Sequence, residues 1–409
     1  MSATLGKRFW LVWSASTFAN LGDGLTIVAF PLLAKSVTDD ARLIALVTTF
    51  RFLPFALLGL PAGLIIDRFD RLKLAILAQW IRVAAMGTLC VTIWSGQQSI
   101  TWLVTAAFMV GVGEILTDGG LPAIVRDLVR VDQLEKANAR LFSAQVVTNS
   151  FVGPPIAAVL FSFNHLAPFV AATSVFIATS IALYLVPGSF VPRRTQTESP
   201  PEPLTRQLLV GLRYVWGHRV LRPLALAVGV FSFVGQAGNA VEVLVITDAF
   251  GFSDTGFGAL VGLTGVASLI TSFFVVKLVI RVGHSASMKL SVAAYATASL
   301  LFGFGSGAPV AIGAAVLMGV SDPTWNVVSG TIRQRLVPDE IFGRMLTAYL
   351  FIAWGVMPAG AYLGGVIANR FGPTWVFVVS GLTVGSLLVI AQPMFKSVDR
   401  SMKPVDSNT

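Results

Sequence analysis

Ionisable side chains are scarce in this chain, and that scarcity decides its solvent. Of 409 residues only 12% are Asp, Glu, Lys or Arg, about half the share of a soluble domain. Hydrophobic residues make up 55% and the mean hydropathy is +0.78, so lipid rather than water is the expected surrounding. Cysteine is scarcer still. Cys90 stands alone in an apolar run, which excludes an internal disulfide and a thiolate metal cluster and reads as packing. The histidines His165, His218 and His284 are far apart and form no metal site. No Gly-x4-Gly-Lys-Ser/Thr stretch occurs, which excludes that nucleotide-binding loop. Gly303, Gly305 and Gly307 sit in or beside an apolar run rather than after a strand, so no dinucleotide fingerprint is expected. No nucleophile–base pair can be assembled from the residues inside the apolar runs. The sequence therefore predicts neither an enzyme nor a bound metal or cofactor.

What is present is a series of long apolar runs. A membrane-crossing helix needs about 20 mostly apolar residues, and such segments run roughly Phe9–Leu33, Leu43–Ile66, Leu74–Trp94, Ile100–Val125, Leu141–Phe161 and Leu166–Val186. A second set covers Leu221–Thr247, Phe257–Ile280, Met288–Phe304, Pro309–Val328, Leu346–Ala368 and Thr374–Gln392. The first is too long for a secretory signal core and carries Asp23, so it reads as a retained helix. Residues 1–187 and 220–396 are expected to be two six-helix bundles. Between them, 188–219 forms a connector whose Pro187–Pro203 part lacks apolar periodicity. Its Leu204–Trp216 part predicts an amphipathic surface helix, and 397–409 is a tail.

Charge distribution sets the orientation. Lys and Arg crowd the cytoplasmic side of membrane proteins. With both ends of the chain inside, every basic residue falls on that side except Lys35, Arg42 and Arg370, and Arg51 and Arg82 within helices. The net charge of +9 is thus a topology signal rather than a nucleic-acid footprint.

The halves repeat one another. Gly111-Val-Gly-Glu114 corresponds to Gly319-Val-Ser-Asp322, and in the same register Asp118 meets Asn326. Pro154 pairs with Pro358, and Gly22-Asp23 with Gly238-Asn239.

The stretch after the second run reads Gly59-Leu-Pro61-Ala-Gly63-Leu-Ile-Ile-Asp67-Arg68-Phe-Asp70-Arg71-Leu-Lys73. It resembles the loop between the second and third helices of the major facilitator superfamily, Gly-x-Leu-Ala-Asp-Arg-x-Gly-Arg-Lys. Gly63, Asp67, Arg68 and Arg71 match, while Asp70 stands where most members carry Gly. The Asp-Arg-aromatic-Asp-Arg variant is similar to the branch of macrolide-efflux and enterobactin-export proteins. In the fifth run, Asn149-Ser-Phe-Val-Gly153-Pro154 resembles the family's antiporter motif, with Gly153 and Pro154 matching. The resemblance implies an all-α integral membrane fold of 12 transmembrane helices in two pseudo-symmetric bundles. It also implies that the Gly63–Arg71 loop latches the halves on the cytoplasmic side.

An ionisable group in hydrocarbon costs several kcal/mol, so those present mark a cavity, a pair or a proton path. They are Asp23, Arg51, Arg82, Glu114, Asp118, Glu242 and Asp322. Asp23 shares its face with Thr26, and Arg51 is its expected partner. Glu114 and Asp118 lie one turn apart on one face with Arg82 as a candidate clamp; two carboxylates so placed resist being ionised together. Glu242, Gln236 and Asn239 form a polar stripe. Asn20, Asn326, Phe30, Phe50, Phe142, Phe231, Phe233, Trp325 and Trp354 are candidates for a cavity wall. The expected function is export of bulky amphipathic molecules in exchange for protons, with the proton gradient as energy source, by a monomer in the cell membrane. Export of a siderophore or other self-made metabolite, nutrient uptake, and a non-transporting sensor are the alternatives.

Overall fold

The computed structural model describes residues 5–66, 68–191 and 204–402; Asp67, residues 192–203 of the connector and the tail beyond 402 lie outside the described residues. All regular elements among the described residues are helices. In the first half these are α1 Lys7–Val37, α2 Ala41–Ile66, α3 Arg71–Trp94 and α4 Ile100–Leu128, then α5 Leu134–Phe163 and α6 Ala167–Tyr184. The connector contributes a helix over Leu204–Gly217, followed by α7 Leu221–Asn239, α8 Asp254–Val282, α9 His284–Phe304 and α10 Ala308–Leu336. The series ends with α11 Glu340–Phe371, α12 Pro373–Ile390 and a tail helix over Gln392–Ser401.

Eleven of the helices are long and apolar enough to cross a membrane. The remaining one of the twelve, α10, is 29 residues long, but Asp322, Arg333 and Arg335 dilute its apolar character. It packs along α8 and α9 as α4 packs along α2 and α3, so it needs less apolar surface than a lipid-facing span. Several helices outrun the apolar runs. α5 begins at Leu134 rather than Leu141, because Glu135, Lys136 and Asn138 continue the helix into the aqueous region without a breaker.

Pseudo-symmetry appears in the packing itself. A Cβ added at Gly111 would lie 2.3 Å from the Arg51 carbonyl oxygen, and one at Gly319 would lie 2.5 Å from that of Thr264. Both glycines thus let the fourth helix of a half touch the backbone of the second. Gly22 abuts the Phe176 ring on α6, and Gly238 the Phe377 ring on α12. Pro154 forces a second shared feature. Lacking an N–H, and crowding the carbonyl four residues earlier, it follows a π-helical stretch at Val146–Val152, whose end is closed by the Gly153 N–H donating to Thr148 O. Its counterpart Pro358 sits where α11 breaks, at Gly355–Met357.

The apolar cores show which way the bundle is open. One cluster joins both halves, from Phe30, Ile44 and Phe169 to Ile246, Phe257 and Phe377. All of these lie toward the face remote from the chain ends. On the other face the halves keep separate cores, around Phe9, Ala75 and Leu183 in one and around Met288, Ile332 and Phe395 in the other. The halves are closed on the remote face and apart on the face where the described chain begins and ends.

At the closed rim, the Lys35 ammonium of α1 contacts Asp248 and Thr247 just beyond α7. A partly exposed pair of this kind contributes up to about 1 kcal/mol. Lys35→Ala should therefore shift the closed-to-open ratio of that face by up to about fivefold. Spin labels at Ser36 and Ser253 in a Cys90→Ser background would read it as a longer-distance population; an unchanged distance distribution would show that the pair does not hold the rim.

Candidate functional site

Two polar assemblies occupy the middle of the bundle, and their chemistry differs. In the first half, α1 to α4 converge on four charges. Asp23 is 4% exposed and Arg82 0%. Arg82 Nη1 donates to Asp23 Oδ2 at 3.4 Å, and its guanidinium lies 5.1 Å from the Phe176 ring centroid. Arg51 Nη2 donates to Glu114 Oε2 at 3.1 Å and lies 3.9 Å from Asp23 Oδ1. Its Nη1 donates to Thr26 Oγ1 at 2.9 Å. Two carboxylates and two guanidinium groups thus balance. The partners differ from the expected pairing: Arg82 reaches Asp23 rather than Glu114 or Asp118, and Arg51 bonds Glu114 more closely than Asp23. Gly113 makes room for this, since a Cβ there would lie 2.6 Å from Arg82 Cγ. Gln79, which donates to Thr117 Oγ1 at 3.0 Å, extends the same buried layer.

Asp118 stands apart from this network. It is exposed and opens into a cavity of ≈ 290 Å³ between α1, α4 and α5, with Asn20, Asn138, Phe142 and Gln145 in its wall.

The second half holds a cavity of ≈ 500 Å³, lined by Gln236, Asn239, Glu242, Tyr295, Asp322 and Asn326 together with Phe231, Trp325 and Trp354. Such a volume lies in the usual range for small-molecule sites. Glu242 is placed by an interruption. α7 ends at Asn239, a short turn restarts at Glu242–Leu244, and π-helical geometry follows over Val245–Ala249. Glu242 and Asp322 also line a neighbouring space of ≈ 200 Å³ that takes Ile27, Ser150 and Pro154 from the first half. These two carboxylates therefore sit at the seam between the halves. Among the described residues neither has a cation within ion-pair distance. Arg333 lines the same cavity but is stacked over the Tyr349 ring at 3.8 Å.

Other candidates are placed elsewhere. Phe30 is 2% exposed and meets Phe169 edge-on at 5.9 Å, because its part of α1 lies in the closed core. Thr26 is buried against Arg51. Gly153 and Gly24 bring α5 and α1 into backbone contact, and Asn149 lends its carbonyl to the same contact. Gly63 lies in the last turn of α2, and in the loop Arg68 is exposed; Asp67 lies outside the described residues. Asp70 caps α3 by accepting from the Leu72 and Lys73 amides. It also accepts from Ser189 Oγ at 2.6 Å and from the Phe190 amide. Burial opposes ionisation there, yet these donors outweigh it and hold the carboxyl below its ordinary range. Arg71 lies 3.8 Å from Asp127. Asp70 and Arg71 thus tie α3 to α4 and to the chain after α6, all within one half.

Gln79, Thr117, Tyr295, Arg333 and Tyr349 escaped the sequence reading. Gln79 and Thr117 each lie one turn from a charged residue, Arg82 and Glu114, which was the available signal. Arg333 counted among the loop cations, because its place within a cavity depends on where α10 ends.

Removing one partner of a buried ion pair costs about 3–5 kcal/mol. Asp23→Asn should destabilise the solubilised protein by that order, and Asp23→Asn with Arg82→Gln should recover part of the loss in thermal unfolding. Strict additivity of the two single effects would show that the side chains do not act as a pair.

Comparison with known proteins agrees with this architecture. Residues 3–407 match the family described as transmembrane secretion effectors. Macrolide efflux protein A of Streptococcus pyogenes is 23% identical over 413 residues, covering 96% of each chain. The multidrug efflux pump Tap of Mycobacterium tuberculosis is 24% identical over 402 residues, covering 95% of this chain and 94% of that one. Among solved structures, a bacterial homologue of the iron transporter ferroportin in its inward-facing state gives a TM-score of 0.72 at 16% identity, covering 98% of this chain and 100% of that one. The nucleoside transporter NupG gives 0.71 at 13% identity, with 97% and 100% covered. With the match running through almost the whole sequence, the chain belongs to the transmembrane secretion effector family of major facilitator transporters.

Proposed function

We propose that the protein exports bulky amphipathic, cationic small molecules of the macrolide and multidrug type in exchange for protons. The observation that carries this is the pair Glu242 and Asp322, two carboxylates with no cation within ion-pair distance among the described residues, in an aromatic-walled cavity at the seam of the halves. A buried carboxylate without a partner is costly, and either a proton or a ligand cation relieves that cost. Aromatic faces at Phe231 and Trp325, whose rings lie 4.6 Å apart, suit an apolar body carrying a positive charge.

Exchange follows from linkage. If cargo and proton compete for the same carboxylates, each lowers the other's affinity by an equal factor. Cargo enters from the face on which the halves stand apart, taken as cytoplasmic from the charge distribution. The halves then rock about the site, and protons from the outside displace the cargo. The four-charge cluster of Asp23, Arg51, Arg82 and Glu114 is internally neutralised, so it serves as a scaffold rather than as the coupling site. Asp118, exposed beside it, is a further proton-accepting group on the entry side. The relatives' printed activities, macrolide and multidrug efflux, point the same way.

In proteoliposomes with an imposed proton gradient, the parent protein should move a macrolide, a tetracycline or ethidium against its concentration. Glu242→Gln and Asp322→Asn should each cut gradient-driven flux by about 10²-fold, an effect comparable to losing one well-placed proton-transfer group. Flux that persists in both variants would remove these residues from the coupling. Flux of none of these compounds, nor of a siderophore tested beside them, would favour the sensor reading.

A further inference from the structure

A second recess lies away from the transport cavity, where the connector helix, the start of α7, the end of α12 and the tail helix meet. Its volume is ≈ 530 Å³. Arg219 and Arg222 line it, with His218, Trp216, Leu226 and Ile390. Both arginines are exposed, and among the described residues neither has a carboxylate within ion-pair distance. The recess is built rather than incidental. His218 Nδ1 accepts from the Val220 and Leu221 amides at 3.1 and 3.2 Å, which closes the first turn of α7 and fixes the backbone carrying both arginines. On the other side Met394, Phe395 and Val398 are buried, which pins the tail helix and leaves Pro393 and Ser397 to the recess.

The open side of the recess is apolar. Leu226 is 46% exposed and Ile390 72%, and Val389 beside it is 76% exposed. These side chains lie near the ends of two helices long and apolar enough to cross a membrane, where hydrocarbon would cover them. Trp216 stands at the same level, where amphipathic rings favour the membrane–water interface. A basic floor therefore continues into a lipid-facing wall. A water-soluble anion would use only the floor. An anionic phospholipid uses both, with its phosphate between the guanidinium groups and its acyl chains along Leu226, Val389 and Ile390.

We propose that this recess is a binding site for an anionic phospholipid of the leaflet on the side of the chain ends, held by Arg219 and Arg222. The lipid would bridge α7, α12 and the tail helix at the edge of the second half.

The test uses native mass spectrometry of the full-length protein in detergent. The probes are dioleoyl phosphatidylglycerol, dioleoyl phosphatidylcholine and glycerol 1-phosphate. The parent should retain phosphatidylglycerol in preference to phosphatidylcholine. R219Q/R222Q should lower phosphatidylglycerol affinity by roughly thirtyfold, the order expected for two basic residues at an anionic surface. Because both arginines are exposed, the variant should elute as the parent does on size exclusion, and its phosphatidylcholine adducts should not change. R281Q, which removes an exposed arginine at the same face on α8, should leave phosphatidylglycerol binding intact. Equal loss in R281Q would reduce the effect to net charge and overturn the site. So would undiminished binding in R219Q/R222Q. Displacement of the lipid by glycerol 1-phosphate at equal concentration would show a headgroup-sized anion site instead and would overturn the lipid assignment.

Discussion

Arg82 carries its charge with no exposure at all, deep in a bundle whose other side chains are mostly apolar. A buried charge without a partner is costly enough to unmake a domain, so the placement of Asp23 is a requirement of the first half rather than an option. Several features follow from it. Gly113 must be small enough to admit the Arg82 side chain. The Phe176 ring supplies a face to the guanidinium and abuts Gly22. Arg51 then balances Glu114, so that α1, α2, α3 and α4 are bound to one another through a neutral unit. The geometry is directional, and that fixes the relative rotation of four helices which van der Waals packing alone would fix less well.

The second half has the same backbone plan without this unit. Gly111 touches the backbone at Arg51, and the equivalent Gly319 touches it at Thr264. The place of an arginine is therefore taken by a threonine. Asp23 corresponds to Asn239, and Ser321 and Ser291 exchange hydrogen bonds across α9 and α10 where Gly113 and Arg82 meet in the first half. Neutral serines join α9 to α10 there, and the acids Glu242 and Asp322 face a cavity. Four charges of the first repeat are paired with one another, whereas the two acids of the second line a cavity. This division is the physical basis of the proposed export mechanism, because a carboxylate without a fixed cation can exchange a proton for a cargo without first breaking an ion pair.

Much of the fold was legible in the sequence because the bilayer imposes a length on every span and a sign on every loop. Twelve apolar runs announced their helices, and the Gly111/Gly319 pairing announced the repeat. The intramembrane charges were legible too, since their cost makes each of them conspicuous. What the sequence could not supply was the pairing among them. Arg51 and Arg82 are each within reach of three carboxylates, and the choice depends on helix rotation and on a glycine as local as Gly113. Phe30 looked like a cavity residue because periodicity does not say which end of α1 is closed. The Lys35–Asp248 contact, between residues more than 200 positions apart, was invisible for the same reason.

The arrangement of cores bears on how such a protein can move at all. An apolar cluster that spans both halves on one face and two separate clusters on the other mean that reversing the opening exchanges one set of apolar contacts for another of similar kind. Breaking the remote core would wet its inner surfaces, and joining Phe9's cluster to that of Phe395 would dry others. The two costs offset one another, since each scales with apolar area removed from water. What remains to bias the balance is small: a rim contact such as Lys35 with Asp248 or, in the proposed mechanism, the charge state of Glu242 and Asp322 at the seam. Terms of about 1 kcal/mol, negligible against the stability of the bundle, are large against such a difference. Under the proposed exchange, a proton at the seam would then be enough to tip the balance without unfolding any part of the molecule.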